Sequence, residues 1–142
     1  MKKLGLLALM VLMSSPVLAE VSEQQARQAI THFYRVYVFG GGDLADQGNR
    51  VATQRLLAKL EAVYRDEYDC TVAHCYAAYA LRTSAQDGGG ASGIVSITPR
   101  ANGWYRVTYR DAPYRGVTDI KVVESDGVVK LDDYKRIREI TN

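Results

Sequence analysis

Hydrophobic positions recur at helical spacing in the first part of the chain after residue 20. The first helix is predicted from a capping-box pair, Ser22 and Gln25, to the glycine run at residues 40–42. Its hydrophobic face is formed by Ala26, Ile30, Phe33, Tyr34 and Tyr37. A second, leucine-rich helix is predicted over residues 50–64 and a short third one over residues 76–81. Residues 43–49 are interpreted as a polar connection, and residues 84–93 as a glycine-rich connector.

The pattern then changes to the alternation that is typical of strands. Strands are predicted over residues 94–98, 104–110, 117–124 and 128 to about 134, with turn signals at residues 102–103, 111–115 and 125–127. Consecutive strands that are joined by tight turns form an antiparallel sheet. The order of helices and strands therefore predicts an α+β fold, in which two to three N-terminal helices pack on a curved four-stranded antiparallel sheet.

Residues 1–19 have the pattern of a secretory signal peptide. Lys2 and Lys3 precede a short apolar stretch, and the small residue Ala19 stands before the predicted cut. A retained membrane anchor is the alternative, but the apolar stretch is shorter than the ~20 residues that a span needs. We therefore expect a periplasmic protein, with residues 20–142 as one α+β domain and no stable membrane insertion after cleavage.

The charge of the exported part is balanced. The chain has 18 Lys and Arg against 16 Asp and Glu, and Lys2 and Lys3 belong to the predicted signal peptide. A nucleic-acid-binding domain would show a basic excess. The composition therefore argues against a nucleic-acid partner.

Cys70 and Cys75 are the two cysteines of the chain. Cysteine pairs of exported proteins oxidise, so we predict a disulfide that closes the four-residue loop 71–74. A metal site that combines both cysteines with His74 and His32 is the alternative. It lacks the second closely spaced ligand pair that is typical of zinc sites, and we predict neither a metal nor another cofactor.

The order of these segments resembles a known fold family. A His-Phe-Tyr-Arg helix centre at residues 32–35, a leucine-rich helix at residues 55–60 and an Ala-Gln-Asp segment at residues 85–87 precede the strands. This arrangement resembles the nuclear-transport-factor-two-like (cystatin-like) superfamily, and within it a family of small exported bacterial proteins of unknown function. The resemblance implies a cone-like space between the helices and the sheet. The superfamily includes isomerases, dehydratases, immunity proteins and binding modules, so the fold does not choose among these functions.

An isomerase-type site in such a cone would need a carboxylate base and tyrosine donors. The candidates are Asp87 and Asp119 as bases, and Tyr34, Tyr76 and Tyr109 as donors. Against catalysis, Asp119 is expected to pair with Arg106 or Arg110 on a neighbouring strand, and Asp87 to cap a turn. We therefore assign no catalytic residues, and Asp87 with Tyr34 or Tyr109 is the catalytic alternative.

The ten tyrosines, together with the arginines of the strand region, indicate a binding surface instead. The predicted binding residues are Tyr76, Tyr79, Arg106, Arg110, Tyr114 and Arg115. We expect a non-catalytic protein that binds a protein partner in the cell envelope, in the sharpest form an immunity or inhibitor protein against a periplasm-acting toxin such as a cell-wall hydrolase. A small-molecule-binding or isomerase-like pocket protein is the first alternative, and a homodimer through the exposed sheet face is the second.

Overall fold

The computed structural model describes residues 21–82 and 91–141 of the 142-residue chain. Helices come first: α1 (Glu23–Phe33), a π-helix (Tyr34–Val38), α2 (Leu44–Val51), α3 (Gln54–Glu67) and a 3₁₀ turn (Ala78–Leu81). The strands β1 (Ser92–Pro99), β2 (Trp104–Asp111), β3 (Tyr114–Ser125) and β4 (Val128–Thr141) form one antiparallel sheet in chain order. The predicted α+β class is confirmed.

The first helix begins and ends as its sequence indicates. The Ser22 hydroxyl accepts from the Gln25 N–H at 3.1 Å, and the Gln25 side chain accepts from the Ser22 N–H at 3.2 Å. After Phe33 the helix widens, and the Phe39 N–H donates to the Tyr34 carbonyl at 2.8 Å. The π-helix ends before Gly40, where a side chain would collide with the carbonyls of Arg35 and Val36.

The second helical segment differs from the sequence-based prediction. Residues 43–49 are not a polar connection, because Asp43 caps α2 and its carboxylate accepts from the Ala45 N–H at 2.9 Å. The leucine-rich helix begins at Gln54 rather than at residue 50. Ala52 is extended and bridges to Leu131, and the neighbouring Thr53 N–H donates to the Leu131 carbonyl at 2.9 Å, so contacts with β4 separate the two helices.

Two other segments also differ in extent. Only the 3₁₀ turn Ala78–Leu81 forms where a third helix was predicted. β4 continues to Thr141, well past residue 134, because it pairs with β3 along its whole length. Its alternation is interrupted by two register shifts, which hides the strand from a periodicity argument.

Two tight turns are where the sequence predicts them, whereas the predicted turn at residues 111–115 is shorter, because β2 extends through Asp111 and β3 begins at Tyr114 rather than at residue 117. Asn102 and Gly103 have φ values of 61° and 79°, and Asp126 and Gly127 have φ values of 55° and 75°. These are the left-handed conformations that Asn, Asp and Gly adopt readily. β2 and β3 are joined through a cis Ala112–Pro113 peptide bond.

The helices cover one face of the sheet, and the core lies between them. Tyr105, Val107 and Tyr109 of β2 point into this core, while Arg106 and Arg110 point away from it. We call these two sides the inner and the outer face. None of the helices in residues 21–82 and 91–141 is long and apolar enough to cross a membrane. The predicted signal peptide and the predicted turn residue Asp87 lie outside the described residues.

Candidate functional site

Aromatic rings occupy the space between the π-helix and the sheet. Tyr34 is fully buried, and its ring centroid lies 5.9 Å from that of Tyr109 on β2. Phe39 completes the group, at 5.8 Å from Tyr34 and 6.1 Å from Tyr109. The two predicted donors of the catalytic alternative are therefore packed against each other inside the core.

Backbone carbonyls of the 3₁₀ turn receive the polar groups of this core. The Tyr34 hydroxyl donates to the Leu81 carbonyl at 2.8 Å, and the Thr118 hydroxyl donates to the same oxygen at 3.1 Å. The Arg136 Nε donates to the Ala80 carbonyl at 2.6 Å. These bonds fix the turn onto the sheet and use the hydroxyl of Tyr34 for structure.

Burial raises the pKa of Tyr34 well above its usual value. The nearby Tyr109 raises this pKa further, and the hydrogen bond with Thr118 and the charge of Arg136 only partly oppose the rise. The pKa of Tyr109 is raised as well, again mainly by burial. Both phenols are therefore protonated at neutral pH.

The buried carboxylate of the inner face is Asp111, which the sequence analysis missed. It is 2% exposed, and its Oδ2 accepts from Nη1 of Arg82 at 2.8 Å. The alternation that places residues 105, 107 and 109 on the inner face also places residue 111 there, so the signal was present in the pattern. The ion pair leaves Asp111 as a neutralised structural group rather than an unpaired base.

Asp119, the other carboxylate considered for catalysis, lies on the outer face. Arg106 holds it with two hydrogen bonds, of 2.9 and 3.1 Å, which confirms the expected cross-strand pair. The hydrogen bond with Asp119 raises the pKa of Arg106. Arg106 is thus occupied by an intramolecular partner.

The predicted disulfide between Cys70 and Cys75 is confirmed. Both sulfurs are used in the bond, so they do not serve as thiolate metal ligands. Within residues 21–82 and 91–141, no group of three or more His, Cys, Asp or Glu side chains is arranged to hold a metal ion. The bond closes residues 71–74 into an exposed loop, with Val72 64% exposed.

The base of this disulfide loop is fixed to α3. The Ala77 N–H donates to the Leu60 carbonyl at 3.1 Å, and the Tyr79 hydroxyl donates to Glu67 Oε2 at 2.7 Å. Burial, together with the hydrogen bond and charge of Glu67, raises the pKa of Tyr79. Tyr76 stacks on His74, with ring centroids 5.9 Å apart and planes 5° apart. The pKa of Tyr76 is raised by burial and by the charge of Glu61.

The six predicted binding residues lie on different parts of the fold. Tyr76 and Tyr79 flank the disulfide loop, whereas Arg110 and Arg115 are opposite each other on the outer face of β2 and β3. Tyr114 is the cross-strand partner of the buried Asp111, so it belongs to the inner face and is half-buried. The structure thus brings Tyr76 and Tyr79 together at the loop and the arginines together on the outer face, and Tyr114 belongs to neither group.

Comparison with known proteins gives the fold and no function. No protein-family model matches the chain, and no curated protein does. The chain is similar to a solved structure of a protein of unknown function from Bacteroides thetaiotaomicron VPI-5482, with 24% sequence identity and a TM-score of 0.58. The similarity covers 80% of this chain and 90% of that chain. At this identity the likeness shows a shared α+β fold alone.

Proposed function

We propose that the chain is an exported, non-catalytic binding protein of the periplasm, and more narrowly an immunity or inhibitor protein against a periplasm-acting toxin such as a cell-wall hydrolase. The disulfide loop is the observation that carries this proposal. It projects an exposed apolar residue, Val72, from a base that is fixed by a covalent bond and by hydrogen bonds to α3. An inhibitor that enters an enzyme cleft needs such an element.

Pre-organisation supports this role. A loop that is already ordered loses little conformational entropy when it binds, and the gain appears directly as affinity. Tyr76 and Tyr79 stand beside the loop and add rigid aromatic surface, the type of residue that dominates binding energy at interfaces. In this mechanism Val72 enters the cleft of the partner and the tyrosines exclude water around it.

The disulfide also supports export, since such bonds persist in oxidising compartments. We propose that the protein reaches the periplasm after signal cleavage behind Ala19 and that it belongs to the nuclear-transport-factor-two-like superfamily. N-terminal sequencing of the protein recovered from the envelope tests the first statement, because an intact residue 1 contradicts it.

A matched pair of valines tests the loop. Val72 and Val95 are 64% and 65% exposed, but Val95 lies on β1. The two readouts are capture of a stoichiometric hydrolase from envelope and secreted fractions, and inhibition of that hydrolase on purified cell walls. We expect Val72→Asp to abolish both and Val95→Asp to retain both. The proposal fails if no variant recovers a hydrolase and deletion of the gene leaves sensitivity to neighbouring cells unchanged.

A second candidate function rests on a cavity of about 360 Å³ between the π-helix and β1. Phe39, Ile94 and Tyr34 give it apolar walls, and Arg35 adds a positive charge. A small apolar molecule with a carboxylate fits this chemistry. The carboxylate first considered as a base, Asp87, lies outside the described residues, so the cavity supports binding of a small molecule rather than a particular reaction.

Thermal denaturation in the presence of aliphatic and aromatic carboxylates tests this alternative. A ligand raises the melting temperature of the native protein in proportion to its occupancy. We expect Arg35→Gln to remove the rise in melting temperature with carboxylates, and Arg27→Gln, on the preceding helix α1, to leave it unchanged. Equal melting temperatures with and without every carboxylate would exclude the alternative.

A further inference from the structure

Three arginines occupy adjoining positions on the outer face of the sheet. Arg110 of β2 is the direct cross-strand partner of Arg115 of β3. The next outward position on β3 is Val117, and its partner on β4 is Arg138. We call Arg110, Arg115 and Arg138 the arginine row.

In the described part of the chain, the row is not paired with a counter-charge. Among residues 21–82 and 91–141, no acidic side chain forms an ion pair with any of its three members. On the outer face, Asp119 is the acidic residue nearest to the row in the register, and it is held by Arg106 at 2.9 Å. Glu124 alternates to the opposite side of β3.

Two lysines lie further along the same face. Lys135 is the cross-strand partner of Asp119, and Lys121 is the cross-strand partner of Asp133. The carboxylate of Asp133 is already used by Arg55 and Lys59 of α3, at 2.9 and 2.8 Å. The outer face is therefore basic, although the exported part of the chain has balanced charges.

Such an arrangement opposes folding. Like charges that stand directly opposite each other on neighbouring strands are destabilising. Val117, at the centre of the row, is only 6% exposed although it points away from the core, which places an apolar floor among the guanidinium groups. Arginine is enriched at protein interfaces relative to the rest of the surface, and here it surrounds a buried apolar side chain.

We propose that the arginine row is a docking site for a protein partner that presents Asp and Glu side chains. The guanidinium fork binds carboxylates with two parallel hydrogen bonds, and three adjoining forks match a row of carboxylates. A second copy of this chain does not fit, because a two-fold dimer through this face would set one basic surface against another. The site is separate from the disulfide loop, so it stands whether or not the loop inhibits a hydrolase.

A charge-matched pair of variants tests the proposal. One full-length variant carries Arg110→Gln, Arg115→Gln and Arg138→Gln, and the control carries Arg27→Gln, Arg50→Gln and Arg65→Gln on the helices. The probe is a fluorescein-labelled oligo-glutamate peptide, and its anisotropy reports binding at low and at physiological salt. We expect the row variant to bind at least about tenfold more weakly than the control, and wild-type binding to weaken as salt increases.

Thermal denaturation of the same proteins separates binding from folding. Since the substitutions remove repulsion, the row variant is expected to melt at or above the temperature of the wild type. A lower melting temperature would mean that the row is structural and would overturn the proposal. Equal weakening in the two variants would also overturn it, as would tighter row-dependent binding to phosphatidylglycerol vesicles than to the peptide.

Discussion

The ring of Tyr109 lies where a side chain at Gly116 would stand. The two residues are direct cross-strand partners on β2 and β3, and a Cβ atom at residue 116 would overlap the hydroxyl end of the Tyr109 ring. Tyr34 and Phe39 pack against the same ring and restrict its movement. Gly116 is therefore required by the close approach of the ring to the backbone, not by its own backbone dihedral angles.

Gly116→Ala is expected to destabilise the protein by about 2 kcal/mol, because the buried phenol must move into a filled core. Urea denaturation measures the loss. Gly41→Ala is the matched control, since a Cβ atom there meets no atom within 4 Å. A double-mutant cycle with Tyr109→Ala should show strong non-additivity. Additive losses would contradict the proposed contact.

Asn102 and Gly116 show which features of the fold can be predicted from the sequence and which cannot. Asn102 and Gly103 determine a turn through their own backbone preferences, so the turn was predicted from two letters. Glycine is required at residue 116 because strand register places the Tyr109 ring against it. No local sequence pattern around residue 116 indicates that neighbour. Ala52 is similar, because its extended conformation depends on a bridge to Leu131 far along the chain.

The candidate site divides in the same way. The disulfide and the Arg106–Asp119 pair were predicted because a close cysteine pair and strand alternation are local signals. The ion pair of Asp111 with Arg82 was not, since Arg82 reaches the sheet from a turn whose path is set by tertiary hydrogen bonds. The position of Arg138 on β4 was not predicted, because a register shift separates it from the predicted end of the strand.

Removing the disulfide by Cys70→Ser together with Cys75→Ser is expected to lower the free energy of unfolding by about 2 kcal/mol, from the entropy of closing so short a loop in the unfolded chain. Urea denaturation of the variant and the wild type measures this. The α+β core does not depend on the bond, so far-ultraviolet circular dichroism should be unchanged. Loss of the whole fold would contradict the assignment of the bond to a surface loop.

Asp133 links stability to pH. Burial alone would raise its pKa, but hydrogen bonds from Lys59 and the Tyr134 N–H, with the charges of Lys59 and Arg55, lower it overall. Its contribution is therefore present above the unfolded pKa of about 3.9 and is lost as the pH falls through the lower folded value. Asp133→Asn should destabilise the protein by about 1 kcal/mol at neutral pH and by little at strongly acidic pH.

Urea midpoints at neutral and at acidic pH measure this difference. Asp66→Asn is the control, because Asp66 is exposed and forms no ion pair among the described residues. The Asp66→Asn variant should have the same urea midpoint as the wild type at both pH values. A gap between Asp133→Asn and the wild type that stays constant into strong acid would show that the carboxylate charge is not the cause.

Among the single substitutions considered, removal of the Asp111 charge beside Arg82 is expected to have the largest effect on stability. In Asp111→Asn, the half-buried guanidinium of Arg82 loses its carboxylate partner. We expect the free energy of unfolding to fall by about 3 kcal/mol. Asp119→Asn breaks the more exposed pair with Arg106 and should cost less than about 1 kcal/mol. Equal losses in the two variants would contradict the difference in burial.

The double variant Asp111→Leu with Arg82→Met completes this test. If the ion pair is a structural element of a filled core, two apolar side chains of similar volume should restore most of the stability, because neither charge then has to be desolvated. Under the proposed function, capture of a hydrolase through the disulfide loop should be unchanged in this variant. If stability returns but capture is lost, Asp111 acts in binding, and the inner face rather than the loop would be the functional surface.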